Sequence, residues 1–282
     1  MLIKKDMSKR IDSHQHFWKF DPVRDSWIDE TMQNIQRDFL PEDLQPLLKA
    51  NQFEGCVAVQ ASQSEEETHF LLDLASKNDF IKGVVGWIDL RNENIEERLN
   101  FFSDQKKLKG FRHVVQGEPD DFMYGEAFRR GIAALKPFDY TYDILIFERQ
   151  LPAALSLVKD FPNQKFVIDH IAKPNIKSET IYSWKSGIEE IAKYDNLWCK
   201  ISGMVTEADW KNWKPEDLKP YLDVIFENFP IDKLMYGSDW PVLNVASDYN
   251  EVVKILEDYI SGFSIEDQNK VWFENANKFY EL

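Results

Sequence analysis

The chain has 282 residues, 43% apolar and 14% aromatic, enough to enclose one sizeable core. Its formal charge of −15 repels phosphate backbones and anionic membrane leaflets, and no dense Lys/Arg patch offsets it, so no nucleic-acid partner is expected. No apolar run of about 18 residues is present, so no membrane-spanning helix is expected either.

The opening "MLIKKDMSKR" is basic and lacks the apolar core of a secretion signal, and residues 1–9 read as a flexible extension. Short β-like runs follow at 10–16, 55–61, 82–88, 109–115, 141–146, 165–170, 197–202 and 233–239. Amphipathic stretches lie between them. Helices are predicted near 41–50, at Glu65–Lys77 with acidic residues first and Lys77 last, at 150–161 and at 218–229. A late helix begins at 252–259, and a terminal one covers 265–282. Strands alternating with helices predict a parallel sheet, and eight such units match a (β/α)8 TIM-type barrel. The competing doubly wound open sheet lacks a GxGxxG turn after its first strand. No linker or repeat interrupts the pattern, so one domain is read over 1–282.

The segment 17–52, with "KFDPVRDSWIDE", is long for a connection, and it reads either as a lid over the barrel mouth or as a plain surface loop. Cys56 and Cys199 sit far apart in apolar segments, which suits two buried thiols in a reducing cytoplasm rather than a metal knuckle or redox pair.

Catalytic groups of a barrel sit at the carboxyl ends of its strands. The predicted strands end in polar residues again and again: His14 and His16, Gln60, Trp87 and Asp89, Arg112 and His113, Asp143, Asp169 and His170, Lys200 and Ser202, Asp239. That pattern points to an enzyme. Residues two apart in a strand share a face, so His14 and His16 project together. Strands one and eight adjoin in a closed barrel, which brings Asp239 beside the pair. Two imidazoles and a carboxylate make a plausible corner for a divalent metal. Asp12 precedes His14 on the same predicted face and reads as a partner that orients a histidine, or as a buried paired carboxylate.

"IDSHQHFW", "IDHIAKP", "CKISG" and "YGSDWPV", with "VVGWIDL" and "KGFRHVV", resemble the amidohydrolase superfamily. The likeness is greatest to its branch of small-lactone hydrolases, which act on fucono-, rhamnono- or galactonolactone. It spans nearly the whole chain in order. The resemblance implies a (β/α)8 barrel and hydrolysis by water attack on a carbonyl. It assigns Asp239 as the general base and gives His14, His16 and His170 their places in the catalytic set. It also makes Arg112 and His113 an Arg-His pair that contacts substrate.

The chain departs from the two-metal members of that superfamily. No lysine ends the fourth strand, and the fifth, "TYDILIF", has Asp143 and no histidine. A two-metal site is therefore not expected. Two readings of the first-strand histidines stand. His14, His16 and Asp239 hold one divalent ion, zinc or manganese, or no metal is required and the histidines donate hydrogen bonds. The substrate on either reading is a small lactone. Gln60, Arg112 and Asp143 are candidates to bind its hydroxyls, and Trp27, Trp87 and Trp240 to offer flat faces to a sugar ring. The rival activities are a metal-dependent amidohydrolase or decarboxylase of the same superfamily and an inactive ligand-binding barrel.

Overall fold

A computed structural model describes residues 9–282. The predicted extension thus lies, up to residue 8, outside the described residues. Among the described residues eight parallel strands follow one another in sequence order. They are β1 (Ile11–Gln15), β2 (Gly55–Val59), β3 (Ile81–Gly86), β4 (Leu108–His113), β5 (Thr141–Ile144), β6 (Phe166–Ile168), β7 (Leu197–Ile201) and β8 (Leu234–Tyr236). The ring closes just beyond β8. Asp239 N donates to His14 O at 2.8 Å, and His16 N donates to Trp240 O at 2.7 Å. This is the (β/α)8 barrel that the alternation of elements predicts.

Helices cover the outer faces of the strands, which is why the strands read as nearly continuous apolar runs. The helix Glu65–Lys77 starts where Ser64 Oγ accepts from Glu67 N at 3.1 Å, with three glutamates in its first turn. Helices Pro41–Ala50, Leu151–Asp160, Pro215–Asn228 and Tyr249–Ile260 lie where patterning places them. Ile95–Phe102, Glu126–Leu135 and Tyr182–Ile191 supply further crossovers. The terminal helix is not continuous: a π-helical turn, Lys270–Glu274, joins Ile265–Asn269 to Asn275–Tyr280. The turn carries Phe279 and Tyr280 under the barrel, where they pack against Ile11, Val57, Val85, Val167 and Met235. The amino-terminal end of the barrel is thereby plugged with apolar surface.

Several strands stop earlier than predicted, and the reason bears on function. β6 ends at Ile168, because His170, Ile171, Ala172 and Lys173 all adopt positive φ, at 53°, 48°, 62° and 45°. Asp239 does the same at 62°. These conformations leave the β region and are uncommon outside glycine. The sixth- and eighth-strand groups therefore stand on tight turns above the barrel rather than on strands.

The segment 17–52 folds back on itself. Trp18 and Phe39 exchange backbone hydrogen bonds of 3.0 and 2.9 Å, and a 3-10 turn covers Glu30–Ile35. Phe39 and Phe17 pack edge-on against Trp240, with centroids 5.2 and 6.1 Å away. Trp240 is thus a core residue and offers no face to a sugar, contrary to the expectation above.

Candidate active site

A cavity of about 310 Å³ opens at the carboxyl ends of the strands. Five of the predicted site residues line it: His16, Arg112, His170, Asp239 and Trp27. Arg24, Asp25 and Trp27 come from the 17–52 segment, so part of that segment forms a wall of the cavity. Among the described residues no helix is long and apolar enough to cross a membrane.

His16 Nε2 lies 3.3 Å from Asp239 Oδ1 and 3.2 Å from His14 Nε2. His14 Nε2 and His170 Nε2 stand 3.9 and 3.8 Å from the same carboxylate oxygen. Four donor atoms thus face one point. His16 Nδ1 donates to the backbone carbonyl of Val59 at 2.8 Å, which fixes the orientation of the ring. His170 Nδ1 is 2.9 Å from Ser202 Oγ. Tetrahedral zinc sets its ligands about 3.3 Å apart, which these separations approach. His14, His170 and Asp239 offer ligand atoms that all lie within 4.8 Å of one another.

Two glycines make this crowding feasible. A Cβ on Gly203, whose φ is +64°, would come within 2.7 Å of the His170 ring. A Cβ on Gly237 would meet the Cβ of His14 at 2.6 Å. The glycines of "CKISG" and "YGSDWPV" are thus spaces reserved for two imidazoles.

Beneath the floor lies a buried charge network. Lys200 Nζ is 2.6 Å from Asp143 Oδ2, 3.0 Å from Asp169 Oδ1 and 3.0 Å from His14 Nδ1. Arg112 Nη1 donates to Asp169 Oδ2 at 3.1 Å, and its Nη2 donates to the Gln60 carbonyl. Tyr280 Oη donates to Asp143 Oδ2 at 2.7 Å, which ties the network to the C-terminal plug. Burial opposes the charge of Asp169, but Lys200, His14 and Arg112 outweigh it and hold its carboxyl well below the usual range. Burial pushes both His14 and His170 well below the ordinary histidine value; Asp169 and Asp239 respectively oppose that push without cancelling it. Burial also works against ionisation of Asp239, yet His170 and the hydrogen-bonded His16 overcome it and lower its pKa. Burial thus favours the neutral form of His14 and His170, and the neighbours of Asp239 favour its carboxylate form.

The other candidates do not line the cavity. His14 is fully buried behind His16 and His170. Asp143, expected to bind a hydroxyl, is fully buried against Lys200 and Tyr280, because its side chain points into the barrel below the floor. Gln60 is equally buried, and its Nε2 donates to the Arg112 carbonyl at 3.1 Å, so it positions Arg112. Trp87 Nε1 donates to His113 Nδ1 at 3.3 Å, and His113 stacks on Phe122 beside Glu118, which lies 2.8 Å from its Nε2. That Arg-His pair is therefore split: Arg112 faces the cavity and His113 faces a satellite cluster. Asp12 accepts from Ser238 N at 2.9 Å, His14 N at 3.2 Å and Tyr249 Oη at 2.9 Å. These bonds pin the backbone of β1 to the turn that carries Asp239. Burial raises the pKa of Asp12 to about 6 against those hydrogen bonds.

Sequence reasoning missed Lys173 and Arg24, both in the cavity wall. Lys173 belongs to "IDHIAKP" and pairs with Glu207 at 3.3 Å. Its signal lies in that motif, three residues past the end of the predicted strand 165–170.

A family model described as amidohydrolase matches residues 11–282. The chain belongs to the amidohydrolase family. It is 39% identical to the L-fucono-1,5-lactonase of Burkholderia multivorans, over 97% of this chain and 96% of that protein. It is 35% identical to the L-fucono-1,5-lactonase of Burkholderia ambifaria, over 98% and 97% of the two chains. A crystal structure of an amidohydrolase from B. multivorans with bound zinc superposes with a TM-score of 0.93 at 38% identity, covering 97% of this chain and 99% of that one.

Proposed function

We propose that this amidohydrolase opens the ring of a sugar-acid lactone, of the L-fuconolactone class, by attack of water on the ester carbonyl. The observation that carries the reading is Asp239 set beside His16 and His170 in the cavity, in a chain alike over nearly its whole length to two L-fucono-1,5-lactonases.

The chemistry follows from the residues. Asp239 accepts a proton from water as the oxygen attacks the carbonyl carbon. Negative charge then builds on the carbonyl oxygen. Arg112, held by Asp169 and the Gln60 carbonyl, presents its guanidinium to the cavity and stabilises that charge. One well-placed donor of this kind is worth about 3 kcal/mol of barrier. When the tetrahedral centre collapses, the ring oxygen leaves as an alkoxide, and the proton held by Asp239 is available to it. Lys173 adds an ammonium group to the same wall and balances the carboxylate of the product. Trp27 supplies an apolar face at the mouth. A lactone is an activated ester, so a base and fixed donors suffice.

The donor spacing also accommodates one divalent ion, zinc or manganese, held by His16, Asp239 and His170 or His14. Bound there, the ion would polarise the carbonyl and lower the pKa of the attacking water. The zinc of the B. multivorans amidohydrolase supports that occupancy.

The test is a panel of sugar-acid lactones read by acid release, with and without a chelator, beside Asp239→Asn. Turnover of one or a few lactones that is lost in the variant supports the proposal. No turnover of any lactone by the wild type overturns it.

A further inference from the structure

Opening a lactone changes the charge of what the cavity holds. Water adds across the acyl C–O bond, the ring oxygen becomes a hydroxyl, and the acyl carbon becomes a carboxylic acid that loses its proton near neutral pH. A neutral molecule enters and an anion must leave. Arg24, Arg112 and Lys173 line the cavity, and each is a cation that could hold that anion. Each is also matched by a carboxylate of the chain itself.

The three matches differ. Arg24 grips Asp25 with two bonds, Nε to Oδ1 at 2.8 Å and Nη2 to Oδ2 at 2.7 Å. Arg112 donates to Asp169 at 3.1 Å and to the Gln60 carbonyl. Lys173 has a single anionic partner among the described residues, Glu207, with Nζ 3.3 Å from Oε1. It is the most loosely held cation of the wall. Its backbone N donates to His170 O at 2.8 Å within the left-handed turn that aims His170 at Asp239, so the ammonium is anchored beside the reacting groups. Glu207 ends the short helix Met204–Glu207, just past Gly203, and does not line the cavity. The two side chains are only 15% and 17% exposed, so salt and water screen the pair weakly.

We propose that Glu207 is a positioning residue that keeps Lys173 from trapping the open acid. The inference rests on the lactonase reading of the site. Without Glu207 the ammonium would face the cavity uncompensated, and the ligand it favoured would be the anionic product rather than the neutral substrate. With Glu207 in place, a product carboxylate competes with a built-in anion for the same charge. Asp239 is a carboxylate again once its proton has passed to the leaving oxygen, and it adds repulsion. The neutral lactone loses nothing to either charge, so the balance weakens the hold on product alone.

The plain structural alternative is a tie between two turns, since the pair joins the segment after β6 to the segment after β7. The two roles separate by the charge of the ligand. A loosened tie weakens the binding of charged and uncharged molecules alike. A lost counter-charge strengthens the binding of anions and leaves neutral molecules alone.

Calorimetric titrations in chelator make the distinction. The probes are L-fuconate, the open acid of L-fuconolactone, and L-fucitol, an uncharged polyol on the same carbon chain. The isosteric Glu207→Gln should tighten L-fuconate by about fivefold, the scale of one partly screened ion pair, and leave the affinity for L-fucitol, however weak, unchanged. Glu207→Asp, which keeps the charge, should retain the wild-type preference. In a Lys173→Met background the change Glu207→Gln should no longer affect L-fuconate, because the cation it unmasks is gone. Equal effects on both probes, an unchanged L-fuconate affinity, an effect that persists without Lys173, or L-fuconate that binds none of these proteins overturns the proposal. The titrations need no turnover. A failed lactone panel therefore sinks the activity, whereas a working panel with L-fuconate affinity unmoved by Glu207→Gln sinks this proposal alone.

Discussion

The imidazole of His170 rests on Gly203, at a distance where a methyl group on that glycine would come within 2.7 Å of the ring. Gly203→Ala must therefore displace His170 from Asp239. The substitution also strains a backbone held at φ +64°. A loss of about 1–3 kcal/mol in stability should accompany a fall of at least tenfold in kcat/KM for the preferred lactone. Denaturant titration and initial rates on one preparation check both.

Asp239 is itself in the left-handed region, which asparagine tolerates better than most residues. Asp239→Asn should keep the fold and remove the base. We expect kcat/KM to fall by about 10²- to 10⁴-fold with a melting temperature near that of the wild type. A variant that retained more than a tenth of the rate would move the base to His16.

The neutral imidazoles set an acid limit. Burial lowers the pKa of His14 and His170 in the folded chain, whereas in the unfolded chain they titrate near 6.5. Below that pH the unfolded state takes up protons that the folded state refuses. The stabilisation is complete above about pH 6.5 and drains away as the pH falls, with a limiting slope for two groups of about 2.7 kcal/mol per unit. Urea midpoints measured from pH 7.5 to 5.5 in chelator should decline accordingly. A midpoint that rose as the pH fell would mean that the two rings are charged in the fold.

Tyr280 donates its hydroxyl to Asp143 at 2.7 Å from the C-terminal plug. Tyr280→Phe keeps the ring under Lys200 and deletes only that bond to a buried carboxylate. The expected cost is about 1.5–3 kcal/mol, read as a lower urea midpoint with an unchanged slope. Unaltered stability would show that Lys200 alone satisfies Asp143.

Trp27 is the partly exposed face of the cavity wall and touches none of the reacting groups. Trp27→Ala should raise KM several-fold while leaving kcat within about twofold, the signature of binding shared equally by ground and transition states. A matching loss in kcat would assign the 17–52 segment a part in closing the site.

Much of this architecture is legible along the chain. The strands of a parallel barrel are buried on both faces, so they stand out as short apolar runs, and the polar residue that ends each one marks the catalytic rim. Lys173 escaped because the segment after β6 is a left-handed turn, and backbone sign is not written in an apolar pattern. The sequence pattern points Asp143 and Trp240 at substrate for a related reason. A polar residue in a strand and a tryptophan beside a motif look alike whether they face the cavity or the interior.

Local order along the chain, then, determined the barrel, the family motifs and the residue types of the site, because each depends on periodicity and neighbours within a few positions. Only the tertiary structure decided which of those residues meet. His14, Asp143, Asp169 and Lys200 come from four different strands or the turns that follow them, and the short turns beyond β6 and β8 aim His170 and Asp239. Those meetings depend on ring closure and on the room left by Gly203 and Gly237, which are properties of packed volume and do not exist until the chain has closed on itself.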